Sequence, residues 1–79
     1  MSRAARVRLL TRDGCTLCID AERVVERVCA ERDTTYELVD VDTDEALRAE
    51  YSDHVPVLIV DEKVRSYWFV DEDVLASLL

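Results

Sequence analysis

Two cysteines stand three residues apart at the point where the chain changes its hydrophobic period. Val7-Arg8-Leu9-Leu10 has the apolar run of a short strand, and Thr11-Arg12-Asp13-Gly14 breaks it. From Cys15 onward the apolar residues recur at helical spacing. Leu17, Ala21, Val24, Val25 and Val28 fall on one stripe of that helix, with Asp20, Glu22, Arg23, Glu26 and Arg27 largely off it. The helix is expected to end near Arg32-Asp33, and Tyr36 to Val41 reads as a second strand rich in β-forming residues. A strand, a helix and a strand in that order imply parallel strands joined by a right-handed crossover. The stretch Cys15-Thr16-Leu17-Cys18 then lies at the C-terminal end of the first strand, where α/β sheets carry their sites.

The remaining elements follow from similar signals. Asp42 and Glu45 stand at capping-box spacing before a short helix from Glu45 to Tyr51. Ser52-Asp53-His54 is a loop, with His54 expected to be solvated, and Val57 to Val60 is a buried strand. Asp61-Glu62-Lys63 reads as a turn into a fourth strand, Val64 to Phe69, in which alternation sets Trp68 opposite Tyr67 and Phe69, with at least one face in the core. Asp71-Glu72-Asp73 supplies acids to the start of a last helix carrying Val74, Leu75, Leu78 and Leu79. The order is β-α-β-α-β-β-α: one α/β domain over residues 1–79, a four-stranded mixed sheet with three helices.

Seventy-nine residues lie near the lower end of what a hydrophobic core holds together unaided. The longest apolar run, Val55 to Val60, is far short of the ~20 residues of a bilayer span. The start MSRAARVRLL carries no apolar segment of leader length, so the chain reads as cytoplasmic. A formal charge of −8 argues against nucleic acid and anionic membranes as partners. Three cysteines cannot be fully paired within the chain, and in a reducing compartment a close pair points to metal or redox chemistry rather than a structural bridge.

Three readings of the pair compete: a metal clip, a redox dithiol, or two packed thiols. A structural zinc site needs four ligands, and Cys29 and His54 are the only other candidates. Cys29 lies eleven residues beyond Cys18, ~16 Å along a helix, so one ion could not take both, and Cys29 reads as a packed small hydrophobe. A redox role fits the position. Unpaired N–H groups and the helix dipole favour an anion at Cys15, and lowering its pKa from ~8.5 to ~7 needs a differential interaction of roughly 2 kcal/mol. Arg12 is expected to favour that thiolate and Asp13 to oppose it. Cys15 would attack a substrate disulfide, and Cys18, deeper in the helix, would resolve the mixed disulfide.

From Val7 to Leu79 the chain resembles the glutaredoxin-like branch of the thioredoxin superfamily. The resemblance rests on the element order, on Arg12-Asp13-Gly14-Cys15-Thr16-Leu17-Cys18 and on Val55-Pro56-Val57. It implies a thioredoxin fold, a disulfide oxidoreductase with Cys15 as nucleophile and Cys18 as resolving thiol, and a cis Pro56 facing the thiols. It also implies that Val55 offers its backbone to substrate and that Arg12 serves as a substrate-binding cation. No bound cofactor or metal is implied, and electrons come from an external thiol or a reductase. The expected partners are a disulfide-containing protein or a small-thiol substrate, and the chain is expected to be a monomer. Leu9 stands where thioredoxins carry a buried Asp, and no Gly-Gly turn precedes the last helix to hold glutathione. With Asp71, Glu72 and Asp73 crowding that terminus, a reductase or another small thiol is expected to outcompete glutathione. The alternative is a thioredoxin-fold binding module whose Cys-x-x-Cys is structural or carries a metal.

Overall fold

A computed structural model describes residues 5–79 of the chain. Residues 1–4, on which part of the leader reading falls, lie outside the described residues. The elements run β1 (Val7–Thr11), α1 (Thr16–Glu31), β2 (Tyr36–Asp40), a 3-10 turn (Val41–Thr43), α2 (Glu45–Tyr51), β3 (Val57–Val60), β4 (Lys63–Tyr67) and α3 (Glu72–Leu78). The four strands form one sheet, as the α/β reading expects, and their order is β2-β1-β3-β4. β1 pairs parallel with β2, and β3 runs antiparallel to both β1 and β4.

β1 and β3 occupy the middle of the sheet, which is why Val57-Leu58-Ile59-Val60 is apolar at every position and wholly buried. Alternation divides that run between two cores. Leu58 and Val60 join Val7 and Leu9 beneath α1 and α3, packing on Ala21, Val25, Val28, Cys29 and Leu75. Val57 and Ile59 join Leu10 and Val41 on the other face, packed by Leu47 and Tyr51 of α2 and by Val55. Among the described residues, no helix is long and apolar enough to cross a membrane.

The structure corrects several expectations. The buried stripe of α1 is Cys18, Ala21, Val25, Val28 and Cys29. At about 100° per residue Leu17 falls on its flank, so this side chain is 52% exposed rather than core. Asp42 does not cap α2; the 3-10 turn takes it up, and Asp44 is the cap, its carboxylate accepting from the N–H of Ala46 and Leu47. The turn after β3 has two residues, Asp61 and Glu62, both at positive φ, and Lys63 already belongs to β4. β4 ends at Tyr67 because Trp68 takes φ 70°, so strict alternation stops there, and Tyr67, Trp68 and Phe69 are all exposed.

Candidate active site

The break after β1 is a turn closed by the Cys15 N–H donating to the Arg12 carbonyl at 3.2 Å. Its third residue, Gly14, takes φ 77°, the left-handed value such a turn needs at that place and glycine adopts most readily. Beyond its two chain neighbours, no described residue has an atom within 4 Å of where a Gly14 Cβ would stand, so the requirement comes from backbone conformation and not from space. The turn delivers Cys15 as the N-cap of α1, with φ −88° and ψ 107°.

At an N-cap the usual side chain is a Ser, Thr, Asp or Asn oxygen that accepts from the first-turn N–H groups. Here Cys15 Sγ takes that part, accepting from the Cys18 N–H at 3.2 Å. The same donor and the helix dipole would hold negative charge on that sulfur in the reduced state. Cys15 is half-buried, whereas Cys18 is 2% exposed. The two are joined in a disulfide, with Cα atoms 5.2 Å apart. The exposed member and the buried member are thus the ones that the helical spacing assigns.

Beside the pair opens a cleft of about 510 Å³ lined by Arg12, Asp13, Cys15, Cys18, Glu22 and Asp40, among others. Register explains this company. Thr11 pairs with Asp40 across the parallel β1 and β2, so the residues just after both strands meet at one end of the sheet. Arg12 consequently lies against Asp42, its Nε–H donating to the carboxylate at 3.0 Å. Asp42 is in turn fixed by its own N–H, which donates to the Asp40 carboxylate at 2.9 Å.

The Val55-Pro56 peptide bond is cis, as the resemblance implies. Leu10 pairs with Val57, which sets Pro56 at the same end of the sheet as Arg12, although neither Val55 nor Pro56 is in the lining of the cleft. The Trp68 N–H donates to the carbonyls of Pro56 at 2.8 Å and His54 at 3.3 Å, while its indole Nε1–H donates to the Asp53 carbonyl at 3.1 Å. Among the described residues no hydrogen bond engages the Val55 N–H or C=O. His54 is not a solvated loop residue. Its ring stands 5.3 Å from Tyr67 and 5.8 Å from Trp68, centroid to centroid, and its Nδ1 is buried with no hydrogen-bond partner among the described residues.

Cys29 lies fully buried on α1, and burial pushes its thiol pKa up. Among the described residues no three His, Cys, Asp or Glu side chains converge as metal ligands. At α3, Asp71 is the N-cap, accepting from the N–H of Asp73 and Val74, and Glu72 pairs with Arg27 of α1 at 2.7 Å. Sequence reasoning passed over Glu22, Asp40 and Asp42. Glu22 could have been found, since it stands one helical turn beyond Cys18. Asp40 and Asp42 reach Arg12 only through the β1–β2 register, which no local pattern states.

A mixed sheet in this order, with a Cys-x-x-Cys pair capping the first helix, defines a protein of the thioredoxin superfamily. The chain belongs to the glutaredoxin-like domain (DUF836) family, whose profile matches residues 6–79. It is similar to the uncharacterized protein Rv0508 of Mycobacterium tuberculosis, 38% identical over 72 residues that cover 85% of this chain and 74% of the relative. Among solved structures it resembles protein XcR50 of X. campestris, at TM-score 0.72 and 30% identity over 90% of this chain and 91% of that one. Protein Ne2328 of Nitrosomonas europaea superposes at TM-score 0.77 and 28% identity, over 100% of this chain and 95% of that one. Thioredoxin-2, a component of the malaria parasite protein secretion machinery, shares the fold at TM-score 0.67 and 20% identity, over 99% and 82% of the two chains. A glutaredoxin-like fold with a close Cys15–Cys18 pair fits a redox role.

Proposed function

We propose that the protein is a thiol–disulfide oxidoreductase that reduces disulfides of proteins or small molecules. The observation that carries this reading is the division of labour in the pair: Cys15 half-exposed at the N-cap with an N–H aimed at its sulfur, and Cys18 buried one turn behind. The Cys15 thiolate attacks one sulfur of the substrate disulfide, whose S–S bond breaks and whose second sulfur leaves as a thiolate and takes a proton. Cys18, deprotonated, then attacks Cys15 Sγ, closes the intramolecular disulfide and releases the remaining substrate thiol. Two electrons pass from the protein to the substrate, and an external thiol or reductase returns them.

Val55, whose N–H and C=O meet no partner among the described residues, and Pro56 beside it form the edge on which an extended substrate backbone would lie. Arg12 borders the attacking sulfur, but Asp42 already holds it, so it is a weak anchor for a carboxylate. Glutathione is accordingly a poor donor in this reading, and a flavoprotein reductase or another small thiol a better one. The setting is a reducing cytoplasm, and the working unit a monomer.

The test uses the reduced protein and hydroxyethyl disulfide, a neutral probe. Cys15→Ser is expected to abolish exchange. Cys18→Ser is expected to retain the first attack and accumulate a mixed disulfide on Cys15, detectable by mass. If the reduced wild-type protein exchanges with no disulfide and instead purifies with stoichiometric zinc, the pair is a metal-carrying one and the oxidoreductase reading fails.

A further inference from the structure

The cleft beside the disulfide is lined by charged groups of predominantly one sign. Three carboxylates line it, Asp13, Glu22 and Asp40, against a single guanidinium, Arg12. That guanidinium is neutralised by Asp42, its ion-pair partner at 3.0 Å. At the N-terminus of α1 the Cys18 N–H is taken up by Cys15 Sγ. The space adjoining the exposed sulfur is therefore net negative. The sign does not depend on the distant surface, where Arg6 meets Asp61 and Arg27 meets Glu72.

We infer that Asp13, Glu22 and Asp40 select substrate disulfides with positive charge next to the S–S bond and reject those flanked by carboxylates. This inference rests on the oxidoreductase reading of Cys15 and Cys18 and supplies its substrate class. The physical basis is a cleft of one sign, which concentrates ligands of the opposite sign and raises their encounter rate by factors of about ten to a thousand. The effect falls as salt screens it. The chemical step is the one already written: two electrons move from the pre-reduced dithiol to the substrate, so a single turnover needs no further reductant. The same carboxylates also bear on the Cys15 thiolate, but that influence is common to every substrate. A ratio of rates for two substrates cancels it.

Three small probes isolate charge from shape: cystamine with two ammonium groups, hydroxyethyl disulfide with none, and dithiodiglycolate with two carboxylates. Single-turnover rates of pre-reduced protein are followed by Trp68 fluorescence or by mass, each divided by the rate at which dithiothreitol reduces the same probe. At low ionic strength the normalised cystamine rate is expected to exceed that of dithiodiglycolate at least about tenfold, and high salt is expected to collapse the ratio. In the combined variant Asp13→Asn, Glu22→Gln, Asp40→Asn the ratio is expected to fall toward one. Asn at position 40 retains an oxygen to accept the Asp42 N–H. Asp42→Asn, which frees the Arg12 charge without touching the cleft carboxylates, is expected to lower the ratio as well.

A disulfide-linked dimer of a Lys-Cys-Lys tripeptide run beside cystamine separates a polypeptide source of that charge from a small amine, the larger normalised rate naming it. Exchange with hydroxyethyl disulfide, but a cystamine ratio below ten or one indifferent to salt, overturns the charge selection and leaves the oxidoreductase standing. Absence of exchange with hydroxyethyl disulfide overturns the oxidoreductase reading itself.

Discussion

Cys15 and Cys29 lie on one helix and differ in every factor that sets thiol reactivity. Cys15 faces a cleft and receives an N–H; Cys29 is sealed under the sheet, and desolvation of its thiolate raises its pKa. Alkylation of the reduced protein at neutral pH is expected to modify Cys15 well before Cys18 and to leave Cys29 untouched until the chain unfolds, as peptide mapping over time would register. Because the folded pKa of Cys29 lies above the unfolded one, near ~8.5, its contribution to stability is complete below that pH. It is lost as pH rises toward the folded value, since the unfolded chain ionises first. Cys29→Ala should flatten that alkaline slope in urea unfolding, while lowering stability at pH 7 by about 1 kcal/mol for the lost packing. The burial of Cys29 was legible from its residue type, since a free Cys commonly packs as a small hydrophobe. The conformation of Trp68 was not. Left-handed φ is rare for a bulky residue, and here it accompanies hydrogen bonds from both Trp68 N–H groups to the Asp53, His54 and Pro56 carbonyls. Those partners are distant in sequence and leave no local mark.

At the scale of elements, α2 and β3 match their expected bounds: Asp44 caps the start of α2 and Ser52 follows its end, while β3 is a continuous apolar run that follows Pro56 and stops at Asp61. Turn chemistry was harder to read. A two-residue hairpin with both residues at positive φ favours Asn-Gly or Asp-Gly, and this chain uses Asp61-Glu62. Glu62 at φ 67° bears a steric cost of about 1–2 kcal/mol, against which glycine loses roughly 0.5–1 kcal/mol of chain entropy. Glu62→Gly is thus expected to stabilise the protein by about 1 kcal/mol in denaturant unfolding; a destabilised variant would mean that the Glu62 side chain holds the turn by a contact of its own. Asp61 is kept in this turn by Arg6, whose guanidinium donates to both carboxylate oxygens and to the Leu78 carbonyl. The hydrogen bond from Arg6 lowers the Asp61 pKa. A depressed carboxyl pKa contributes stability that is present above the unfolded value, ~3.9, and lost as pH falls through the folded one. Asp61→Asn, which tolerates the same φ, should remove that part of the acid slope, so the variant and the wild type converge in stability once pH has fallen through the folded value.

For the whole molecule, the division of side chains between two cores follows from alternation along β1 and β3, whereas the balance of charge depends on which pairs the fold brings together. The formal charge is −8, and among the described residues three ion pairs, Arg6–Asp61, Arg12–Asp42 and Arg27–Glu72, each engage one carboxylate while leaving an acid excess. The described residues span 32 × 31 × 18 Å. At 0.01 M salt the Debye length is about 30 Å, so each charge is felt across the whole molecule; at 0.15 M it is about 8 Å, and only neighbours remain in range. The ion pairs, at 2.7–3.0 Å, lie inside both lengths and lose little by comparison. Screening therefore removes the long-range repulsion first, and repulsion is the term that opposes the compact state. Raising sodium chloride from 10 to 150 mM is expected to increase the Tm of the oxidised protein by a few degrees, since about 1 kcal/mol corresponds to roughly 4–8 °C in a domain of this size. A Tm that falls over that range would show that the three pairs outweigh the excess they leave, and that the acidic surface is neutral toward folding.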